Sequence, residues 1–183
     1  MSAFYFDIRK DSLYCDPVES KKRKSTILLL NIILNSLLKW FAPILSFTTE
    51  EIYRLLFKDN KSIHLEKFLD FPNSFSNEKL YQKWIELIKI RNICNISIEE
   101  KRANKEIGSS LEADLNIHLD KKLEEITKNI DFSELCITSK AQISFKEKLE
   151  TSAKTTKAKG TKCTLCWKII ENACSRTHCP KKT

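Results

Sequence analysis

Between residues 27 and 41 the apolar positions 27–30, 32–34, 37, 38, 40 and 41 cover nearly every face of a helix. A helix that is apolar all round is stable only when buried among other helices, so this segment predicts a helical bundle. Its most apolar part, residues 27–38, holds 12 residues with Asn31, Asn35 and Ser36 inside it. That is too short for a bilayer span, which needs roughly 20. The helix opens on Lys21, Lys22, Arg23 and Lys24 and meets Pro43, which interrupts or kinks it.

The flanking pattern is helical too. A second helix is expected from about Ser46 to Phe57, with Thr48 or Thr49 as its N-cap and Ile52, Leu55 and Leu56 inward. Residues 59–61 read as a turn and residues 64–75, which contain Pro72, as irregular. Residues 77–105 predict a long amphipathic helix, since Leu80, Trp84, Leu87, Ile88, Arg91 and Ile98 recur at spacings of three, four and seven. Gly108 is expected to stop it. Beyond that the period changes to two. Ala113, Leu115, Ile117 and Leu119 alternate as in a strand, residues 120–128 suit a short helix, and residues 135–138 and 141–145 suit two more short strands. Residues 151–161 (TSAKTTKAKGT) offer only two alanines as apolar residues and are expected to form a flexible basic linker.

Charge divides the chain unevenly. Of the net +8, none arises in residues 1–139, where 21 basic and 21 acidic side chains cancel. Residues 140–183 carry eleven basic side chains against three acidic ones. A local positive field attracts a phosphate backbone better than a diluted one. Two glycines in the whole chain are too few for a phosphate-cradling loop, and neither G-x-G-x-x-G nor G-x-x-x-x-G-K-[ST] occurs. No Ser-His-Asp set or carboxylate pair suggests a catalytic residue.

The cysteines are similarly concentrated. Seven occur, and four lie in the last 21 residues as Cys163-x-x-Cys166 and Cys174-x4-Cys179, with His178 beside the second pair. A C-x-x-C turn aims two thiolates at one ion, and zinc takes four such ligands in a tetrahedron. So short a module has no core of its own, so metal binding supplies its folding free energy. The N-terminal residues show no secretory pattern, so a reducing cytosol and structural Zn2+ are expected rather than disulfides. Cys15, Cys94 and Cys136 stand apart among apolar residues and read as buried small hydrophobes. His64 and His118 read as structural or surface residues.

Four stretches resemble the C-terminal part of bacterial-type isoleucyl-tRNA synthetases. They are residues 4–16 (FYFDIRKDSLYCD), 40–53 (WFAPILSFTTEEIY), 91–113 (RNICNISIEEKRANKEIGSSLEA) and 162–168 (KCTLCWK). The resemblance implies a mainly α fold: residues 1–105 as the latter part of a helical anticodon-binding bundle, 106–150 as a small α/β subdomain, 151–161 as the linker and 162–183 as a zinc module. It implies tRNA(Ile) as partner and no membrane. The family's catalytic signatures H-I-G-H and K-M-S-K-S are missing, as is its editing domain, so isoleucine ligation with ATP is expected only of a full-length parent. The bundle's first helices are missing too, leaving the apolar helix an exposed patch. A fragment, a split gene with the catalytic portion as partner, or a mis-assigned start is expected.

The family ends on a second C-x-x-C, where this chain has Cys179-Pro180-Lys181-Lys182. Lys182 is no thiolate, so Cys174 or His178 must join Cys163, Cys166 and Cys179, with Cys174 preferred. Candidate tRNA contacts are Lys162, Trp167, Lys168 and Arg176 with Lys181 and Lys182, and, on the long helix, Arg91, Lys101, Arg102 and Lys105. Trp167 either stacks on a base or packs over the metal site. The rival reading is a stand-alone zinc-ribbon nucleic-acid binder with a helical interaction domain.

Overall fold

The computed structural model describes residues 2–57, 61–148, 150–172, 174 and 176. The fold is mainly α, with a small sheet and a cysteine-rich end, in agreement with the expected class. Two compact units are present. One comprises Met1–Pro17 and Asn77–Thr183, the other Val18–Ser76.

The second unit holds helices α2 (Lys21–Phe41) and α3 (Ser46–Phe57). Ser20 caps α2, its side chain accepting from the Arg23 N–H at 3.5 Å. Leu38, Ala42, Tyr53 and Ile63 form the core, with Leu34 and Ile52 against them. That core covers one stripe of α2. Leu28, Trp40 and Phe41 are exposed, as are Ile44 and Phe47 beyond it, so the apolar helix is not buried all round and the expected patch is present. On α3 the inward residues are Thr49 and Tyr53, whereas Leu55 and Leu56 face outward, contrary to expectation. Thr49 is no cap: its hydroxyl donates back to the Leu45 carbonyl at 2.9 Å, a bond available only inside the helix. Glu50 supplies the tie between elements, accepting from Ser62 Oγ and the Ile63 N–H, both at 2.9 Å.

The first unit is built on helices α1 (Asp7–Cys15) and α4 (Glu78–Ala103) and a three-stranded sheet. Asn77 caps α4 by accepting from the Leu80 N–H at 2.9 Å. The helix ends at Ala103, before the expected stop at Gly108, because Lys105 turns into the left-handed region at φ 57°. Its buried stripe is Leu87, Ile90, Cys94 and Ile98, and this stripe packs with the sheet. For that reason α4 belongs with the sheet, in the unit formed by Met1–Pro17 and Asn77–Thr183.

Strand β1 (Ala113–Asp120) is central, between β2 (Lys140–Lys146), parallel to it, and β3 (Ser152–Lys157), antiparallel. Its residues alternate buried and half-buried, with Ala113, Leu115, Ile117 and Leu119 fully enclosed, as the period of two predicted. Strand β3 corrects the expectation of a flexible linker over 151–161. Its one buried side chain, Thr155, is polar, and Ser97 on α4 satisfies it: the two hydroxyls lie 2.9 Å apart, and the Thr155 N–H donates to Ser97 Oγ at 3.1 Å.

The crossover from β1 to β2 carries short helices α5 (Glu124–Thr127) and α6 (Phe132–Leu135). Residues 135–138, expected as a strand, are the end of α6 and its exit turn. Asp131 caps α6 by accepting from the Ser133 and Glu134 N–H groups at 2.9 and 3.3 Å. Cys94 and Cys136 meet in the core and hydrogen-bond to each other, while His118 shares a 2.6 Å bond with Ser144 Oγ.

Candidate metal centre

Strands β4 (Thr161–Lys162) and β5 (Ile169–Ile170) form an antiparallel ribbon, Thr161 opposite Ile170 and Lys162 opposite Ile169. The entry to the ribbon requires Gly160. Its φ is +125°, and a Cβ there would stand 2.3 Å from the Ile170 carbonyl oxygen. Between the strands the chain turns as a knuckle. The Cys163 N–H donates to the Lys168 carbonyl at 2.9 Å and the Trp167 N–H to the Cys163 carbonyl at 3.0 Å. Trp167 itself lies in the left-handed region at φ 61°.

This turn brings Cys163 and Cys166 beside Cys174. The three sulfurs lie within 4.8 Å of one another, and all three residues are buried. No disulfide joins them. Tetrahedral thiolates at the zinc–sulfur bond length of about 2.3 Å stand about 3.8 Å apart, so the trio fits such an ion. Three soft sulfur donors also favour zinc's class over calcium or magnesium. Burial pushes the Cys166 thiol up to about 12, and neighbouring Cys163 adds to the effect. Without an ion this thiol stays protonated at neutral pH; a bound ion would draw the proton off.

Two of the expected ligands, Cys179 and the alternative His178, lie outside the described residues, as do Lys181 and Lys182. One residue was missed. Cys15, at the end of α1, is buried in the same cluster, and its thiol donates to the Leu165 carbonyl at 3.6 Å. Nothing in the sequence links Cys15 to residues 163–174, because the link is made only by folding.

Beside the centre lies a groove of about 500 Å³. Ile8, Lys10 and Tyr14 of α1 line one part of it, and Leu165, Trp167 and Lys168 of the knuckle another. Trp167 is 61% exposed and Tyr14 79%.

The candidate cations fall into two groups. Lys162 is exposed on β4, and Lys168 is half-buried at the groove. Arg102 is exposed near the end of α4 beside Glu99, 2.7 Å away. Arg91 is turned inward: its Nε donates to the Leu135 carbonyl at 2.9 Å, and its guanidinium lies over the Phe4 ring, 5.3 Å from the centroid. Arg176 is held by Asp11 and faces Asp16. Among the described residues no helix is long and apolar enough to cross a membrane.

Comparison with known proteins extends these observations. Residues 1–119 match the family model for the anticodon-binding domain of tRNA ligase. The chain is similar to the isoleucine–tRNA ligase of Pelagibacter ubique, 64% identical over 176 residues, covering 96% of this chain and 19% of that protein. The isoleucine–tRNA ligase of Bartonella henselae is 38% identical over 183 residues, and that of Rhodopseudomonas palustris 36% over 195. The alignments cover 94% and 98% of this chain and 19% of each relative. The chain thus spans about a fifth of the length of the curated relatives it matches.

Proposed function

The chain belongs to the family of anticodon-binding domains of tRNA ligases, and from that membership we propose that it is the tRNA-contacting, C-terminal part of an isoleucine–tRNA ligase. Its partner is isoleucine tRNA, and its place is the cytoplasm, where translation runs. The observation that carries the reading is the similarity to isoleucine–tRNA ligases over 96% of the chain. In such an enzyme ATP and isoleucine belong to the remainder of the protein, and this part binds and orients the tRNA.

The residues suit that division of labour. Trp167 offers an exposed ring at the tip of the knuckle, where an unpaired base can stack. Lys162 and Lys168 flank it and would neutralise phosphates, with Arg102 as a further candidate on α4. Arg91 and Arg176 are only partly exposed, one turned inward on Leu135 and Phe4 and the other held by Asp11, and contribute less. Cys163, Cys166 and Cys174 would hold a zinc ion, with Cys179 or His178 as the fourth ligand. Bound there, zinc fixes the knuckle that presents Trp167 and its lysines.

Fluorescence anisotropy tests the proposal with labelled isoleucine tRNA and, as competitor, duplex DNA of equal charge. The reading requires tRNA to be held at least tenfold more tightly and Trp167→Ala to weaken it by about 1–3 kcal/mol. Equal affinity for the two polyanions would favour the stand-alone zinc-ribbon reading instead.

A further inference from the structure

Arg176 is a candidate RNA contact by its charge, yet its guanidinium is committed to Asp11 of α1. Nη1 donates to Asp11 Oδ1 at 2.8 Å, Nη2 donates to Asp11 Oδ2, and Nε faces Asp16 Oδ1 at 3.6 Å. A bidentate arginine–carboxylate pair fixes orientation as well as distance. All three side chains are largely withdrawn from solvent, with exposures of 18–27%. Both carboxylates belong to one short piece of chain: Asp11 lies within α1, and Asp16 follows its last residue.

The clamp joins the metal module to the C-terminal half of α1, whose other half is held by Ile8 in the main core and by Arg9, 2.8 Å from Glu134. Arg176 follows Cys174 by two residues, in a module whose apolar core, among the described residues, is the cysteines with Leu165 and Ile170. Its position therefore depends on the tethering of Cys174. Helix α1 has nine residues, too few to persist alone in water. Its last residue, Cys15, packs among the same cysteines and bonds to the knuckle at Leu165. The groove has α1 and the knuckle among its walls, with Leu111, Ser133, Glu134 and Ile137, so these contacts help to set its width.

We propose that Arg176 is a positioning residue which, through Asp11 and Asp16, makes metal occupancy of the cysteine centre and docking of α1 a single coupled event. The coupling rests on the metal reading above. It is reciprocal: whatever factor docked α1 adds to metal affinity, the metal adds to docking. Losing the ion then frees Arg176, loosens α1 and opens the groove beneath Trp167.

The test uses the full chain loaded with Co2+, whose thiolate charge-transfer band reports the ion's own surroundings. Release to a chelator and hydrogen exchange across Asp7–Cys15 are followed together. Arg176→Ala and Asp11→Asn are expected to speed metal loss about ten- to hundredfold, the range for residues that support a metal ligand. The charge-reversed pair Asp11→Arg with Arg176→Asp is expected to recover part of that loss. Stripping the metal should expose Asp7–Cys15 to exchange at least tenfold faster while Ala113–Asp120 stays protected, which separates undocking from unfolding. A chain that takes up no Co2+ or Zn2+ overturns the metal reading, and the coupling with it. A chain that binds metal but shows unchanged exchange in Asp7–Cys15 on its removal overturns the coupling alone.

Discussion

Asp131 carries the short helix α6 by capping it, and its carboxyl titrates accordingly. Partial burial works to raise the carboxyl, but the hydrogen bonds from Ser133 and Glu134 outweigh that and hold it below the usual range. A carboxyl depressed in the folded state stabilises the fold above its unfolded pKa of about 3.9, and that contribution is lost as pH falls through the folded value. Asp131→Ala should therefore cost about 1 kcal/mol in urea unfolding at pH 7. The gap from the parent chain should narrow once pH drops below about 3.9. At Cys166 the displacement is upward, to about 12, with burial as the leading cause. Metal uptake must then expel its proton, so apparent affinity should rise with pH, and calorimetry in buffers of different ionisation enthalpy should register proton release. Uptake without proton release would contradict thiolate ligation.

Elements with a strong period were legible from sequence, and those defined by distant partners were not. The alternation Ala113, Leu115, Ile117, Leu119 marks β1 because one face is sealed and the other is not. Strand β3 has no such alternation, since its buried position is Thr155 and the hydroxyl that satisfies it comes from Ser97 on α4. A strand of threonines and lysines thus looks like a linker until α4 lies across it. Ser97→Ala would leave a buried N–H without this acceptor and should cost about 1–3 kcal/mol in urea unfolding. Amides of Ser152–Lys157 that bond to β1 should be protected from exchange; exchange at the rate of free peptide would restore the linker. At α6 the signal was present but overridden: Asp131 and Glu134 stand at capping-box spacing, ahead of an apolar run that suits a strand. The candidate site divides the same way. The knuckle cysteines declare themselves by spacing, whereas Cys15 and Asp11 reach the centre only through the docking of α1.

At the scale of the molecule, net charge is uneven along the chain and apolar surface is exposed in both units. The net +8 lies in residues 140–183, while Leu28, Trp40, Ile44 and Phe47 of the second unit stand open to solvent. If Lys162 and Lys168 each neutralise a phosphate, changing both to alanine should flatten the dependence of log binding constant on log salt by about 2. An unchanged slope would remove them from the interface. The measurement that bears most directly on the proposed function is the affinity of the metal-loaded chain for two tRNAs. One is isoleucine tRNA, and the other is the same molecule with its anticodon loop replaced. Anticodon recognition predicts at least a tenfold loss on replacement, about 1.4 kcal/mol. Equal affinity for the two would contradict it.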